Sequence, residues 1–175
     1  MLAHDGTLGP VTTTLVVVYV AVAVSSIITP GRPVAWWAAR AGSALLGLDF
    51  LAAVGDRFGL FGEPGTGGAS WGSWGRFVDY TESLTPWWPW PQVPAVTATV
   101  AEVTLGGLLL AGIWWRWVGK AAAGLLFVYL VTMALELGWA EVLTFGVPVL
   151  LGGALLGSAR GAARRWPWWS AARPD

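Results

Sequence analysis

Five long apolar segments constrain this chain more than any other feature of its sequence. A helix needs about 20 mostly apolar residues to cross a bilayer, and segments approaching that length lie at 11–29, 34–59, 95–115, 117–137 and 141–158. The 175 residues are 55% hydrophobic and only 11% charged, whereas a soluble domain carries roughly a quarter of charged residues. The pattern therefore predicts an all-α polytopic membrane bundle with five spans.

Basic residues at the ends of these segments predict the orientation of the chain. The stub before the first segment has no Lys or Arg, and Arg32 follows that segment. The loop at 62–94 has Arg76 against three acidic residues, whereas Arg116 lies between the third and fourth segments and the tail at 159–175 has four arginines. Since cytoplasmic loops carry the excess of Lys and Arg, we expect a plasma (inner) membrane protein with its N-terminus outside and its C-terminus in the cytoplasm.

The first segment resembles a signal peptide only in its hydrophobicity. No basic residue precedes it, its apolar core is long, and no clear small-residue cleavage site follows it. We expect a retained span.

The loop at 62–94 divides into two parts of different composition. The first part, "GEPGTGGASWGSWG", is rich in glycine and serine, as flexible segments are. The second part, "FVDYTESLTPWWPWPQVP", is an amphipathic stretch followed by prolines among tryptophans. It predicts a short interfacial helix and a rigid turn that cap the outer mouth of the bundle, with mouth residues Arg76, Trp87, Trp88 and Trp90. Tryptophan prefers the headgroup level of a bilayer, so anchoring is the ordinary role of any one of these indoles.

Charged residues inside the apolar segments indicate a buried polar site. At 1.5 Å per helical residue, Asp49 lies near the bilayer middle, and Asp56 and Arg57 lie about two turns further out. Glu102 and Glu136 come from two other predicted spans and reach the same outer level. Because a carboxylate facing lipid is costly, these side chains should face the bundle interior.

Helical spacing adds two residues to this group, since Tyr129 and Thr132 share one helix face with Glu136. The candidate ligand-binding or proton-relay residues are therefore Asp49, Asp56, Arg57, Glu102, Tyr129, Thr132 and Glu136. Four acids against one arginine predict that some acids are protonated, that Arg76 folds in from the loop, or that a partner supplies positive charge. The plainer alternative is a buried ion pair that only ties helices together.

Several kinds of site are excluded or disfavoured by composition. The chain has no cysteine, which excludes disulfides, thiol chemistry, iron–sulfur clusters and cysteine-bound zinc. Its one histidine, His4, lies in the polar N-terminal stub, so we expect no metal site and no intrinsic cofactor. The formal net charge of zero gives no basis for nucleic-acid binding.

Two stretches resemble a known membrane protein family. "GLDFLAAVGDRFGLFG" is similar to the glycine-rich first helix of DoxX/DoxD-like proteins, and "LTPWWPWPQVPAVTATVAEVTLGGLLLAGIWWRWVGKAAAGLLFVYLVTMALELG" is similar to the middle section of that family. The resemblance covers 34–158 and implies a four-helix DoxX-like membrane domain. To this domain, 1–33 adds a stub and an extra transmembrane helix, and 159–175 adds a basic, Trp-rich cytoplasmic tail.

The resemblance also implies a function. Some members look like the small membrane subunit of thiosulfate:quinone oxidoreductase, and others associate with oxidative-stress enzymes. Glu102 matches the family's acid in "AEV", and Arg57 its charged position before "FG". The first hypothesis is a subunit that binds quinone and supports a membrane redox enzyme whose cofactors lie on a partner. In that case the enzyme is a quinone-linked oxidoreductase, and no catalytic residue is assigned in this chain.

Two other functions remain open at this point. The chain could be a non-catalytic anchor or assembly subunit of a larger membrane complex, which contacts partner subunits through small-residue faces and the tail. It could also carry protons or a small solute, with the carboxylates as a relay.

Overall fold

The structure, a computed structural model, describes residues 33–65, 69–113 and 115–160. Within these ranges the chain is helical and has no β-strand. The predicted extra span at 11–29, the His4 stub and the tail from 161 onward lie outside the described residues.

The described helices agree with most of the helical segments predicted from the sequence. They are α1 (Pro33–Arg57), α2 (Trp74–Leu84), α3 (Gln92–Ala111), α4 (Trp115–Glu136), α5 (Trp139–Thr144) and α6 (Val147–Arg160). The helices expected at 34–59, 95–115 and 117–137 are confirmed to within about one turn as α1, α3 and α4. The short helix expected in the second part of the loop is confirmed as α2, which Ser73 caps by accepting the Arg76 amide.

The last predicted span is two helices, so the expectation of one continuous helix at 141–158 is wrong. The chain turns at Phe145 and Gly146, where Gly146 has φ +63°. A proline inside a helix removes one backbone hydrogen bond and clashes with the carbonyl four residues earlier, which here is that of Thr144. The break places Pro148 in the first turn of α6, where a missing N–H costs little.

Four helices form the bundle, and α2 covers one end of it. The pairs α1–α3 and α4–α6 pack most extensively, and α1–α6 and α3–α4 contacts close the ring. Arg40 near the start of α1 donates to the carbonyls of Leu109 and Leu110 at the end of α3, at 2.6 and 2.5 Å. Arg57 at the end of α1 reaches Thr99 in the first half of α3. The helices α1 and α3 are therefore antiparallel.

The largest core cluster lies between the four bundle helices and the short α5. Its buried members are Leu46, Phe50, Leu109, Val118, Ala122, Ala123, Leu126, Met133, Val142, Val147 and Ala154. A second, smaller cluster of Phe77, Val78 and Ala95 holds α2 on the start of α3. The end of the bundle covered by α2 is therefore fixed by its own apolar contacts.

Glycines allow α1 and α3 to approach closely. A Cβ atom added at Gly47 would lie 2.8 Å from the Gly106 carbonyl oxygen, and one added at Gly106 would lie 2.9 Å from the Gly47 carbonyl oxygen. Real Cβ atoms do not tolerate such distances, so the reciprocal pair sets the spacing of the two backbones. This spacing brings the charged end of α1 against α3.

Two of the described helices are long and apolar enough to cross a membrane, namely Gln92–Ala111 and Trp117–Glu136. Only 22% and 33% of their apolar windows are buried, whereas the core helix of a soluble protein is mostly buried. Val100 and Val103 on α3 and Val131 and Leu135 on α4 are among the exposed apolar side chains. These helices therefore have the length, composition and outward apolar faces of membrane helices.

Candidate functional site

A buried ion pair joins α1 to α3. The Arg57 Nη2 atom lies 2.6 Å from Glu102 Oε2, and the two side chains are only 3% and 2% exposed. Arg57 is the last residue of α1 and Glu102 lies in the middle of α3, so the antiparallel packing of these helices brings the charges together. A buried charge needs both a counter-charge and hydrogen bonds, and neighbouring residues supply hydrogen bonds to Arg57 Nη1 and Glu102 Oε1.

Polar and aromatic side chains complete the surroundings of the pair. Arg57 Nη1 donates to Thr99 Oγ1 at 2.8 Å, and Thr99 donates in turn to the Ala95 carbonyl. Tyr129 on α4 donates to Glu102 Oε1 at 2.6 Å. The ring centroid of Phe77 lies 3.8 Å from Arg57 Cζ. The pair therefore connects three helices of the bundle and the covering helix α2.

Asp56 holds the loop that brings a further aromatic ring to Arg57. Its Oδ2 atom accepts the amides of Ser70 and Trp71 at 2.8 and 3.0 Å, and its Oδ1 atom accepts that of Gly72 at 3.3 Å. The Trp71 ring centroid then lies 5.4 Å from Arg57 Cζ. The role of Asp56 in the structure is to fix the loop backbone.

A cavity of about 460 Å³ lies beside the ion pair, beneath α2 and the proline-rich turn. Helices α1, α2, α3, α4 and α6 all contribute to its mostly apolar wall. The polar or charged side chains in this wall are Asp49, Arg57, Tyr80, Thr81, Thr85, Thr97, Glu102, Tyr129 and Thr132. The cavity therefore combines an apolar interior with a few polar groups, as small-molecule sites do.

The structure brings together five of the seven residues suggested by the sequence as ligand-binding or relay candidates. The five that line the cavity are Asp49, Arg57, Glu102, Tyr129 and Thr132. Asp56 binds the loop instead. Glu136 is exposed, because α4 ends at this residue and its side chain lies at the rim of the bundle. The expectation that Glu136 joins the charge cluster is therefore wrong.

The predicted mouth residues take different positions. Trp88 lines the cavity and is also exposed, and Trp87 and Trp90 are exposed without lining it. Arg76 is exposed, so it does not fold into the charge cluster.

Several residues of the site were missed by sequence reasoning. Thr99 precedes Glu102 by three residues and so shares its helix face, which is a signal that could have identified it. Trp71 and Phe77 lie in the loop and in α2, and nothing in their spacing indicates contact with Arg57. Arg40 donates hydrogen bonds to two carbonyl oxygens at the end of α3, and no sequence pattern indicates this contact.

Tyr80 adds a phenol with a buried hydroxyl group to the cavity wall. Its hydroxyl has no hydrogen-bond partner among the described residues. Burial raises the pKa of Tyr80 above its usual range, and the negative charge of Glu141 raises it further. Tyr80 therefore stays neutral at physiological pH and keeps its donor proton.

Among the described residues, no group of three His, Cys, Asp or Glu side chains is arranged to hold a metal ion.

Comparison with protein-family models, curated proteins and solved structures finds nothing similar to this chain.

Proposed function

We propose that this chain is a DoxX-like integral membrane protein that binds a quinone, or a similar small apolar ligand, in the cavity beside Arg57 and Glu102. In this proposal it supports a membrane redox enzyme whose cofactors lie on a partner subunit. The observation that carries the proposal is the apolar cavity of about 460 Å³ with a buried, hydrogen-bonded ion pair in its wall.

The membrane arrangement rests on the exposed apolar faces and on the charge pattern. In the proposal, α1, α3, α4 and the broken α5–α6 segment form four spans, and the segment at 11–29 adds a fifth with the N-terminus outside. Aromatic residues exposed at one end of the bundle, where α2 and the turn lie, suit an outer interface: Phe58, Phe61, Trp87, Trp88, Trp90 and Trp139.

The size and chemistry of the cavity suit a quinone ring. Small-ligand pockets measure roughly 300–1,000 Å³ and hold a few polar groups in an apolar wall. A quinone ring is flat and apolar apart from its two carbonyl oxygens, and Trp71, Phe77 and Tyr80 provide aromatic faces against which it can stack. The described cavity wall contains no redox cofactor ligand, so in this proposal the electrons pass to a group on a partner.

Blocking the cavity without touching its charges tests the proposal. Ala98 lines the cavity from α3, and Val96 on the same helix is exposed and does not line it. A decyl-substituted benzoquinone is titrated into the wild type, Ala98→Trp and Val96→Trp in lipid nanodiscs, with binding followed by calorimetry. We expect Ala98→Trp to bind about tenfold more weakly or worse, since overpacking costs more than about 1.4 kcal/mol, and Val96→Trp to match the wild type.

Two results would contradict the proposal. One is equal affinity of Ala98→Trp and the wild type, with both proteins equally folded. The other is absence of binding to the wild type together with co-purifying subunits, which would favour the anchor hypothesis.

A further inference from the structure

One acidic residue in the cavity wall, Asp49, is not part of the ion pair. The charged residues of the wall are Asp49, Arg57 and Glu102, and Arg57 and Glu102 neutralise each other. Asp49 lies about two helical turns before Arg57 on α1. It makes no hydrogen bond or ion pair with any of the described residues. An acidic side chain in an apolar cavity without a partner is costly.

The Asp49 carboxyl group lacks a hydrogen-bond donor to pair with in the part of the chain that the structure describes. A carboxyl group offers an acceptor oxygen whether it is ionised or protonated, and it offers a donor only when protonated. Tyr129 already donates its hydrogen bond to Glu102, and Arg57 donates one to Thr99 and forms the ion pair with Glu102. Asp49 is therefore an unfilled acceptor in every protonation state.

The same wall holds two buried donors without a hydrogen-bond partner among the described residues, the Tyr80 hydroxyl and the Arg57 Nε atom. A quinone carbonyl only accepts hydrogen bonds, so it satisfies donors and leaves an ionised Asp49 unpaired. A hydroquinone hydroxyl donates through its proton and accepts through its oxygen. The reduced ring thus meets the needs of both kinds of group.

We propose that the ionised Asp49 carboxylate selects the hydroquinone form of the ligand by accepting a hydrogen bond from one of its hydroxyl groups. This inference rests on the proposed function, because it concerns the same cavity and the same ligand class. It identifies the preferred redox form as the reduced one and gives Asp49 a role in recognition that is separate from the Arg57–Glu102 pair.

The test compares the two redox forms of one ring under argon. Tetramethylhydroquinone and tetramethylbenzoquinone are titrated into the wild-type protein in nanodiscs. We expect the hydroquinone to bind about tenfold more tightly, which is the value of one hydrogen bond to a charged group. Asp49→Leu should abolish this preference by weakening hydroquinone binding, and Asp49→Asn should narrow it because the amide also donates. Asp79→Asn, an exposed acid on α2, should retain the preference.

A third probe separates hydrogen bonding from charge. Tetraphenylphosphonium is apolar and positively charged and has no N–H or O–H group. The inference would be overturned if this cation bound as tightly as the hydroquinone and if Asp49→Leu abolished its binding. The site would then recognise charge rather than a hydrogen-bond donor.

Equal binding of the two redox forms by the wild type would overturn the inference and leave the proposed function standing. A preference that persists in a folded Asp49→Leu variant would also overturn it. Failure of both forms to bind the wild type would remove the proposed function together with the inference.

Discussion

Glu102→Ala is expected to lower the free energy of unfolding by roughly 3–5 kcal/mol, because it leaves the Arg57 guanidinium buried without a counter-charge. Arg57→Ala should have an effect of similar size, since it isolates the Glu102 carboxylate. Equilibrium unfolding of the purified protein in mild detergent measures both changes. Asp79→Ala, at an exposed position of α2, is the matched control and should change stability by less than about 0.5 kcal/mol.

The double variant Arg57→Met, Glu102→Leu shows whether the pair acts as a unit. Replacing both charges by apolar residues of similar volume removes the desolvation cost together with the attraction. The double variant should therefore lose much less stability than the two single variants together. Losses that simply add, or single losses below about 1 kcal/mol, would mean that the charges are not buried against each other as described.

Gly106→Ala is the second substitution with a large expected effect. The new methyl group would lie 2.9 Å from the Gly47 carbonyl oxygen and 3.1 Å from Leu51 Cγ. The helices α1 and α3 must then move apart, which we expect to cost about 1–3 kcal/mol of overpacking. The same movement separates Arg57 from Glu102, so ligand binding should weaken as well. Thermal unfolding and the quinone titration measure these two consequences on one preparation.

The neighbouring glycine provides the control for that substitution. No atom lies within 4 Å of a Cβ atom added at Gly107, so Gly107→Ala should leave stability unchanged or raise it by up to about 1 kcal/mol through helix propensity. Equal losses in the two alanine variants would contradict the close approach of α1 and α3 at Gly106.

The ion pair was predictable because helices convert sequence distance into depth. Counting residues along two antiparallel spans placed Arg57 and Glu102 at one level, and they are 2.6 Å apart. The same counting placed Glu136 at that level too. It failed there because a residue at the last position of a helix lies at the rim, where depth no longer determines whether a side chain faces inward.

Loop contacts and helix spacing could not be read from the sequence in this way. The Asp56 carboxylate binds three loop amides, whereas its position in the sequence indicates only its depth along the helix. Gly106 packs against Gly47 whereas the adjacent Gly107 faces open space, and nothing in the sequence distinguishes these two neighbouring glycines or identifies Gly47 as the partner. Both outcomes depend on which faces of two helices meet, and a single sequence does not contain that information.

The sequence contains a signal for the break between α5 and α6, although the whole segment is hydrophobic. The apolar neighbours of Pro148 place it inside the predicted span at 141–158. The preceding Gly146 can adopt the positive φ that ends a helix, and the two residues together indicate a break rather than a kink.

Single-cysteine labelling in sealed, right-side-out vesicles tests most directly whether these helices span a membrane with the cavity end outward. The chain has no cysteine of its own, so each introduced thiol reports one position. Asp79 on α2 and Ile113 in the turn after α3 are exposed at opposite ends of the bundle. A membrane-impermeant maleimide should label Asp79→Cys in intact vesicles and Ile113→Cys only after permeabilisation. Labelling of both positions in intact vesicles would contradict the account.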